Sequence, residues 1–463
     1  MPLSKHKKSA REAIAKVLFR RTLNPTRMII FGFIALILIG TVLLCLPVSS
    51  RTGQATDIVT ALFTATSAGC VTGLSVVDTY SYWSPFGQCV VLFLIQCGGL
   101  GFMSLAAIFS FLLRRTITLR ERLVMTQSMN INDLSGIVRM TRHILIGTFF
   151  FEFSGAVILS IRFSGEFGWR AGIAKGIFHS VSAFCNAGFD LMGQKAACSN
   201  LTSYVSDPIV NITIMALIIV GGLGFYVWED IYHKQRFRDY TLHTKLVLTI
   251  TASLLALGSI MFFAIEYNNP ETLGKLSFCD KIMAAMFQAT TTRTAGFNTI
   301  SQSALELPSK MLSMLLMFIG GSTGSTAGGI KTVTFGILLL TAISVMRGKS
   351  DVTVFGRRLN IRTVLNAFAL TVTAVVIIVA AAFAILSVQS LPVLDVIYEV
   401  ISAFCTTGLS TGITTQLSTA SRIILVALMF FGRVGVLTLS LALLRRGRAA
   451  NSARLPEGKV MIG

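Results

Sequence analysis

The sequence predicts an all-α membrane protein: four consecutive helix–pore loop–helix repeats around a central pore, with eight spanning helices and four re-entrant half-helices. Three observations carry that prediction. First, apolar residues make up 53% of the 463 and charged residues only 13%. Runs such as 28–46, 87–113 and 371–386 hold hardly a charge, and a bilayer core about 30 Å thick takes roughly 20 helical residues to cross. Second, one short pattern recurs four times along the chain. Third, the basic residues cluster between the apolar runs, with 28 of the 40 Lys/Arg in segments 1–27, 114–142, 229–245, 346–362 and 445–463.

The recurring pattern reads FTATSAGCVTGL at 63–74, FHSVSAFCNAGF at 178–189, MFQATTTRTAGF at 286–297 and YEVISAFCTTGL at 398–409, aligned without a gap. The shared glycines are Gly73, Gly188, Gly296 and Gly408, separated by 115, 108 and 112 residues. A Ser/Thr column, Ser67, Ser182, Thr290 and Ser402, precedes each glycine by six residues. A second glycine cluster follows each unit: GGLGF at 98–102, GGLGF at 221–225, GGSTGSTAGGI at 320–330 and GRVGV at 432–436. Internal repeats of this kind fix the architecture before any single motif does.

Each unit reads as a spanning helix, a half-helix, an extended strand carrying the glycine, and a second spanning helix. A basic cytoplasmic segment, 1–27, precedes repeat 1 (28–113), repeat 2 (143–230), repeat 3 (244–346) and repeat 4 (364–445); a cytoplasmic tail spans 446–463. The first helices fall near 28–48, 143–163, 244–266 and 364–388. The half-helices fall near 57–68, 172–184, 280–291 and 393–404, too short to cross, so each enters and leaves on the outer side. The second helices fall near 87–113, 208–230, 309–346 and 421–445. Asp57 and Asp280 share a column suited to N-capping a half-helix, and Pro392 suits a first turn.

The formal charge of +20 reports orientation. Successive basic clusters lie an even number of crossings apart, so the positive-inside rule places them and both termini in the cytoplasm. The basic residues gather on no single domain or helix face, which argues against a nucleic-acid partner. Eight cysteines without CxxC and five histidines without ligand spacing point to neither a zinc site nor a redox motif. Segment 1–27 lacks a signal-peptide cleavage site, so the first apolar run reads as a retained helix.

Non-helical backbone at membrane depth is tolerated only where protein buries it or water reaches it. Four re-entrant strands about one axis meet that condition by lining a common pore, where their carbonyls can replace an ion's hydration shell as potassium filters do. The half-helix C-termini, each bearing roughly half a negative charge, would favour a cation there. The plainer reading of Gly73, Gly188, Gly296 and Gly408 is tight turns or close packing, but four glycines at matched offsets favour the filter.

Residues 320–329 break the second helix of repeat 3 with five glycines and four Ser/Thr, a composition a helix disfavours by about 1 kcal/mol per Gly. They read as an intramembrane gate loop, against the plainer reading of a kink. Arg433 lies in an otherwise apolar helix at a cost of at least about 2.5 kcal/mol. It reads as a charge near the pore that binds the loop, against a simple ion pair between helices. Lys331 closes the loop and either shares that work or snorkels. Glu152 reads as a buried, partnered or protonated carboxyl rather than a coupling-ion ligand. The column three before each glycine, Cys70, Cys185, Arg293 and Cys405, reads as packing behind the filter, with Arg293 finding an acidic or carbonyl partner.

These residues resemble the Ktr/Trk/HKT superfamily of potassium transporters, and most closely its KtrB-type subunits, over about residues 25–445. The resemblance rests on Val71-Thr72-Gly73-Leu74, Asn186-Ala187-Gly188-Phe189, Thr294-Ala295-Gly296-Phe297 and Thr406-Thr407-Gly408-Leu409, on the 320–331 loop and on Arg433. It implies that Val71, Thr72, Gly73, Asn186, Ala187, Gly188, Thr294, Ala295, Gly296, Thr406, Thr407 and Gly408 form a selectivity filter holding potassium through backbone carbonyls. It implies a gate made of Gly320, Gly321, Ser322, Thr323, Gly324, Ser325, Thr326, Ala327, Gly328 and Gly329 with Lys331 and Arg433. Glycine at 73, where some sodium-permeable plant members carry Ser, favours potassium. The short N-terminal segment favours the KtrB branch over TrkH-type members, which carry two extra helices.

The resemblance further implies bacterial potassium uptake across the cell membrane, a homodimer with one pore per protomer, and activation by sodium. It also implies a cytosolic KtrA-type ring that binds ATP/ADP or NAD. The chain has no GxGxxG and no P-loop, so nucleotide control comes through that ring and no cofactor is expected in the chain. The rival reading is a cation-coupled symporter with inverted repeats, or a less selective cation channel. Here every unit enters from the basic side, which favours a pore. An enzyme is not expected, since no HExxH, GxSxG or clustered His/Asp/Glu constellation appears.

Overall fold

The computed structural model describes residues 25–101, 136–195, 199–349 and 351–435. Segments 1–24, 102–135 and 436–463, with the basic clusters and helix ends expected there, lie outside the described residues. Most of what is described is helical, and β structure is confined to one short hairpin and two isolated bridges. In repeat 1, α1 (Pro25–Cys45), the half-helix α2 (Ile58–Gly69), the short α3 (Thr79–Tyr82) and α4 (Pro85–Leu100) follow one another. Next come α5 (Ile137–Phe167), the half-helix α6 (Trp169–Phe184), α7 (Pro208–Leu223) and α8 (Phe225–Lys234). Repeat 3 holds α9 (Leu242–Glu266), the half-helix α10 (Phe278–Thr291), α11 (Leu307–Phe318) and α12 (Thr332–Met346). A small hairpin, β1 (Thr353–Val354) with β2 (Arg357–Arg358), leads to α13 (Ile361–Val388), the half-helix α14 (Val393–Phe404) and α15 (Thr419–Val434).

Among the described residues, four helices are long and apolar enough to cross a membrane: α1, α5, α9 and α13. They are the first helices of the four units. The second helices depart from the expectation of unbroken spans. Between α7 and α8 the chain bends by 92°, because Gly224 adopts φ 98°, a conformation only glycine takes without strain. Gly101 and Gly435, at matching places, have φ 81° and 88° and end α4 and α15. The glycine clusters are therefore built-in turns, and 208–230 is two helices.

Two further boundaries are corrected. Asp57 caps α2 as expected, accepting from the N–H groups of Val59 and Thr60 at 3.1 and 3.2 Å. Asp280, however, lies inside the first turn of α10, which starts earlier and is capped by Ser277. Pro392 is itself the N-cap residue of α14 rather than part of its first turn.

Each first helix packs on its own half-helix. Each second helix also packs on the half-helix of the following unit: α4 on α6, α7 on α10, α11 on α14, and α15 back on α2. The last contact closes the ring. Small residues permit the closest of these approaches: a Cβ on Gly176 of α6 would lie 2.6 Å from the backbone nitrogen of Ser160 in α5. Inside the ring, Trp83, Phe184, Phe189 and Phe297 are fully buried among the half-helices and their strands.

Candidate functional site

The four strands that follow the half-helices meet on one axis. A Cβ built on Gly73 would lie 2.4 Å from the carbonyl oxygen of Ala187; on Gly188, 2.8 Å from that of Ala295; on Gly296, 2.6 Å from that of Thr407; on Gly408, 2.1 Å from that of Thr72. Each glycine thus abuts a carbonyl of the next unit, and the fourth returns to the first. No side chain fits at any of the four without displacing backbone.

The backbone between half-helix and glycine is alike in all four. Val71, Asn186, Thr294 and Thr406 have φ of 59°, 58°, 63° and 51°, and the glycines two residues later have φ of 94°, 70°, 79° and 85°. A non-glycine residue held there costs about 1–3 kcal/mol, and such strain gathers at functional sites. The intervening N–H groups turn outward to the half-helices: Thr72 to the Ser67 carbonyl at 2.7 Å, Ala187 to Ser182 at 2.7 Å, Thr407 to Ser402 at 2.8 Å and Ala295 to Thr291 at 3.0 Å. With its donors tied behind it, each strand is free to present carbonyls to the axis. The hydroxyls of Thr72, Thr294, Thr406 and Thr407 are buried without a partner among the described residues.

The Ser/Thr column divides its labour unevenly. Ser67 Oγ accepts from Gly73 N at 3.1 Å, and Ser182 Oγ donates to the Phe189 carbonyl at 2.7 Å. In repeat 3 the neighbouring Thr291 replaces Thr290, donating to the Phe297 carbonyl at 2.6 Å. The half-helix there caps at Thr292, whereas the others cap at Cys70, Cys185 and Cys405. Sequence reading missed Thr291, and also Asn200, which accepts from Asn298 N at 3.2 Å and so braces the outer ends of two strands. Asn200 sits in a loop without periodicity, and nothing in the sequence marks it.

The second glycine clusters lie beneath these strands. A Cβ on Gly98, Gly221 or Gly432 would sit within 2.1 Å of the carbonyl oxygen of Gly69, Phe184 or Phe404 respectively. In repeat 3 the corresponding place is held by the 320–329 loop between α11 and α12. The loop closes on itself through Gly320 N to the Ile330 carbonyl at 2.9 Å. It docks on the α7–α8 bend through Ser322 N to Gly222 O at 3.0 Å and Phe225 N to Gly324 O at 2.9 Å. Thr326 Oγ1 donates to the Phe184 carbonyl at 3.2 Å, and Ser325 Oγ to the Ser322 carbonyl at 2.7 Å. A Cβ on Gly328 would strike Thr406 Oγ1 at 2.0 Å, which puts this loop directly against the fourth strand.

Arg433 reaches this loop from α15. Its guanidinium donates to the carbonyl of Thr326 and to the carbonyls of Gly98 and Gly99. It makes no ion pair among the described residues; one charge ties the loop to the end of α4. Lys331 bends back onto the Ala327 carbonyl at 2.7 Å. Glu152 is buried, and its carboxylate takes a hydrogen bond from Gln96 Nε2 at 3.0 Å. Arg293 departs from expectation: it finds no acid and no carbonyl, only Thr251 Oγ1 at 3.3 Å, and its Nε has no partner among the described residues.

Four glycine strands thus meet above a loop that Arg433 ties to the end of α4. The TrkH family, described as cation transport proteins, matches residues 4–451. The chain belongs to that family. It is 40% identical over 440 residues to the Ktr system potassium uptake protein B of Bacillus subtilis, covering 95% of this chain and 97% of that protein. It is 39% identical over 455 residues to the potassium/sodium uptake protein NtpJ of Enterococcus hirae, covering 97% and 100%. The crystal structure of the potassium transporter TrkH from Vibrio parahaemolyticus shares the fold at a TM-score of 0.69, with 18% identity over 89% of this chain and 84% of that one. This family member is therefore a multi-pass membrane transport protein with bacterial relatives.

Proposed function

We propose that the chain is the pore-forming subunit of a bacterial potassium uptake system, with Gly73, Gly188, Gly296 and Gly408 and their neighbours as its selectivity filter. The observation that carries this reading is the closed ring in which each glycine abuts a carbonyl of the next unit. A ring of carbonyls replaces the hydration shell of a potassium ion, and the half-helix C-termini around it add negative potential. The relatives named for potassium uptake, matched over nearly their full length, support the substrate.

Below the filter, the 320–329 loop acts as the gate and Arg433 holds it closed. The guanidinium fixes the loop to the end of α4 and sets a positive charge on the cation's path. The chain works as a homodimer, with one pore per protomer and both termini in the cytoplasm. A cytosolic ring of KtrA-type subunits binding ATP/ADP or NAD moves the loop, and sodium activates uptake; the name of the Enterococcus relative supports a part for sodium.

Expression in a bacterium lacking its own potassium uptake tests the reading. Growth should be rescued at low potassium, with or without a co-expressed regulatory ring, and should depend on external sodium. Failure to move potassium or rubidium even with the ring present would overturn the substrate assignment.

A further inference from the structure

The buried guanidinium of Arg293 is a charge behind the third strand that the gate and filter described above leave without a task. It stands in repeat 3 where the other units carry Cys70, Cys185 and Cys405. It is 93% buried, being 7% exposed. Among the described residues its one hydrogen bond is the 3.3 Å contact to Thr251 Oγ1, and Nε has no partner. A buried donor left unmade costs more than the average hydrogen bond contributes, so a second ligand is called for.

The space beside it limits the size of that ligand. A cavity of about 10 Å³ is lined by Arg293 and Thr290 of the third unit, Ile218 and Gly222 of α7, Leu255 of α9, and Gly321 of the gate loop. That volume has room for about one water, too little for a phosphate or carboxylate. Two wall residues carry contacts of the loop: Gly222 O accepts from Ser322 N at 3.0 Å where the loop docks on α7, and Gly321 O accepts from Thr332 N at 3.2 Å within repeat 3. Each of those carbonyls keeps a second lone pair.

We propose that the cavity is a hydration site in which one ordered water accepts from the Arg293 guanidinium and donates to the carbonyls of Gly222, where the gate loop docks, and of Gly321 in the loop itself. Arg293 is then a positioning residue: it holds the 320–329 loop from the side opposite Arg433, and through water rather than directly. The inference rests on the gate reading of that loop.

The test has a structural arm and a transport arm. An experimental map of the wild-type chain that resolves buried waters should show one in the cavity within hydrogen-bond distance of the Arg293 guanidinium. A dry cavity overturns the proposal. In purified protein in liposomes, Arg293→Met should raise basal rubidium uptake about fivefold, the size of one net hydrogen bond, while Arg293→Lys, which keeps a donor, should stay within about twofold of wild type. Potassium-over-sodium selectivity should be unchanged in both. Unaltered or reduced uptake in assembled Arg293→Met, or a shift in selectivity, overturns the proposal, since packing alone gives those results. If Arg293→Met does not assemble, the wild-type map and Arg293→Lys decide. Arg433→Ala, measured alongside, separates the two readings. Raised uptake in Arg433→Ala without a rise in Arg293→Met removes the hydration latch alone, and no rise in either removes the gate as well.

Discussion

Repeat 3 and the other three units make the same filter strand and then part company. Above the break, Thr294 and Gly296 have the φ values of their counterparts, and Gly296 meets Thr407 as Gly73 meets Ala187. Below it, a buried arginine replaces a cysteine, the half-helix caps at Thr292, and a glycine-rich loop takes the place of a glycine turn. The carbonyl ring needs four equivalent backbones, so symmetry is kept there. On the proposed reading a gate needs one element able to move while the rest stays, which accounts for the break of symmetry in one unit. Selectivity and rate should therefore respond to different residues.

The largest effects should come from putting side chains on the ring. Gly→Ala substitutions should weaken potassium-over-sodium selectivity by about tenfold or more where the loss exceeds about 1.4 kcal/mol. The order should follow the room available: Gly408 worst, then Gly73, Gly296 and Gly188, as their Cβ contacts run from 2.1 to 2.8 Å. Permeability ratios in liposomes check this, and an equal effect at all four, or none, would break the comparison. Next, Arg433→Ala removes charge-assisted hydrogen bonds worth about 1.5–3 kcal/mol each. It should raise rubidium uptake by about tenfold or more with selectivity retained. Deleting 322–327 should act in the same direction, whereas loss of assembly or an unchanged rate would return the loop to a structural kink.

Smaller effects sharpen the comparison from the side. Glu152 faces neutral partners, Gln96 and the Cys185 thiol, so the isosteric Glu152→Gln should leave uptake within about twofold. A larger loss of uptake at an unchanged protein level would instead assign the carboxylate to ion coupling. Smallest should be the caps. Asp57→Ala and Ser277→Ala should each cost about 1 kcal/mol of helix stability and Asp280→Ala only a few tenths. Thermal unfolding in detergent reads the order, and equal losses at Ser277 and Asp280 would contradict the assigned start of α10.

What the sequence made legible follows from where the chain is forced. Four glycines at matched offsets were readable because a positive φ and a carbonyl within 2.8 Å admit no other residue. The loop at 320–329 was readable because five glycines cannot sit in a helix cheaply. The 92° bend at Gly224 was less so: a GGLGF run is compatible with a straight helix until the 320–329 loop packs against it, where a Cβ on Gly224 would lie 2.7 Å from the Thr323 carbonyl oxygen. Thr291 was hidden because the helix ends one turn position early in that unit alone. The setting of Arg293 was hidden for a different reason, since a buried charge leads one to expect an acid or a carbonyl, and composition cannot reveal that among the described residues its partner is the Thr251 hydroxyl.

The central claim is that one closed ring of four strands selects the ion. Its most direct test is a purified, reconstituted chain with potassium, rubidium and sodium gradients imposed in turn, wild type against Gly73→Ser. The wild type should develop potassium- and rubidium-selective potentials, and Gly73→Ser should admit sodium while still passing potassium. If Gly73→Ser keeps the wild-type permeability ratio, the ring does not set selectivity and the account is wrong at its centre.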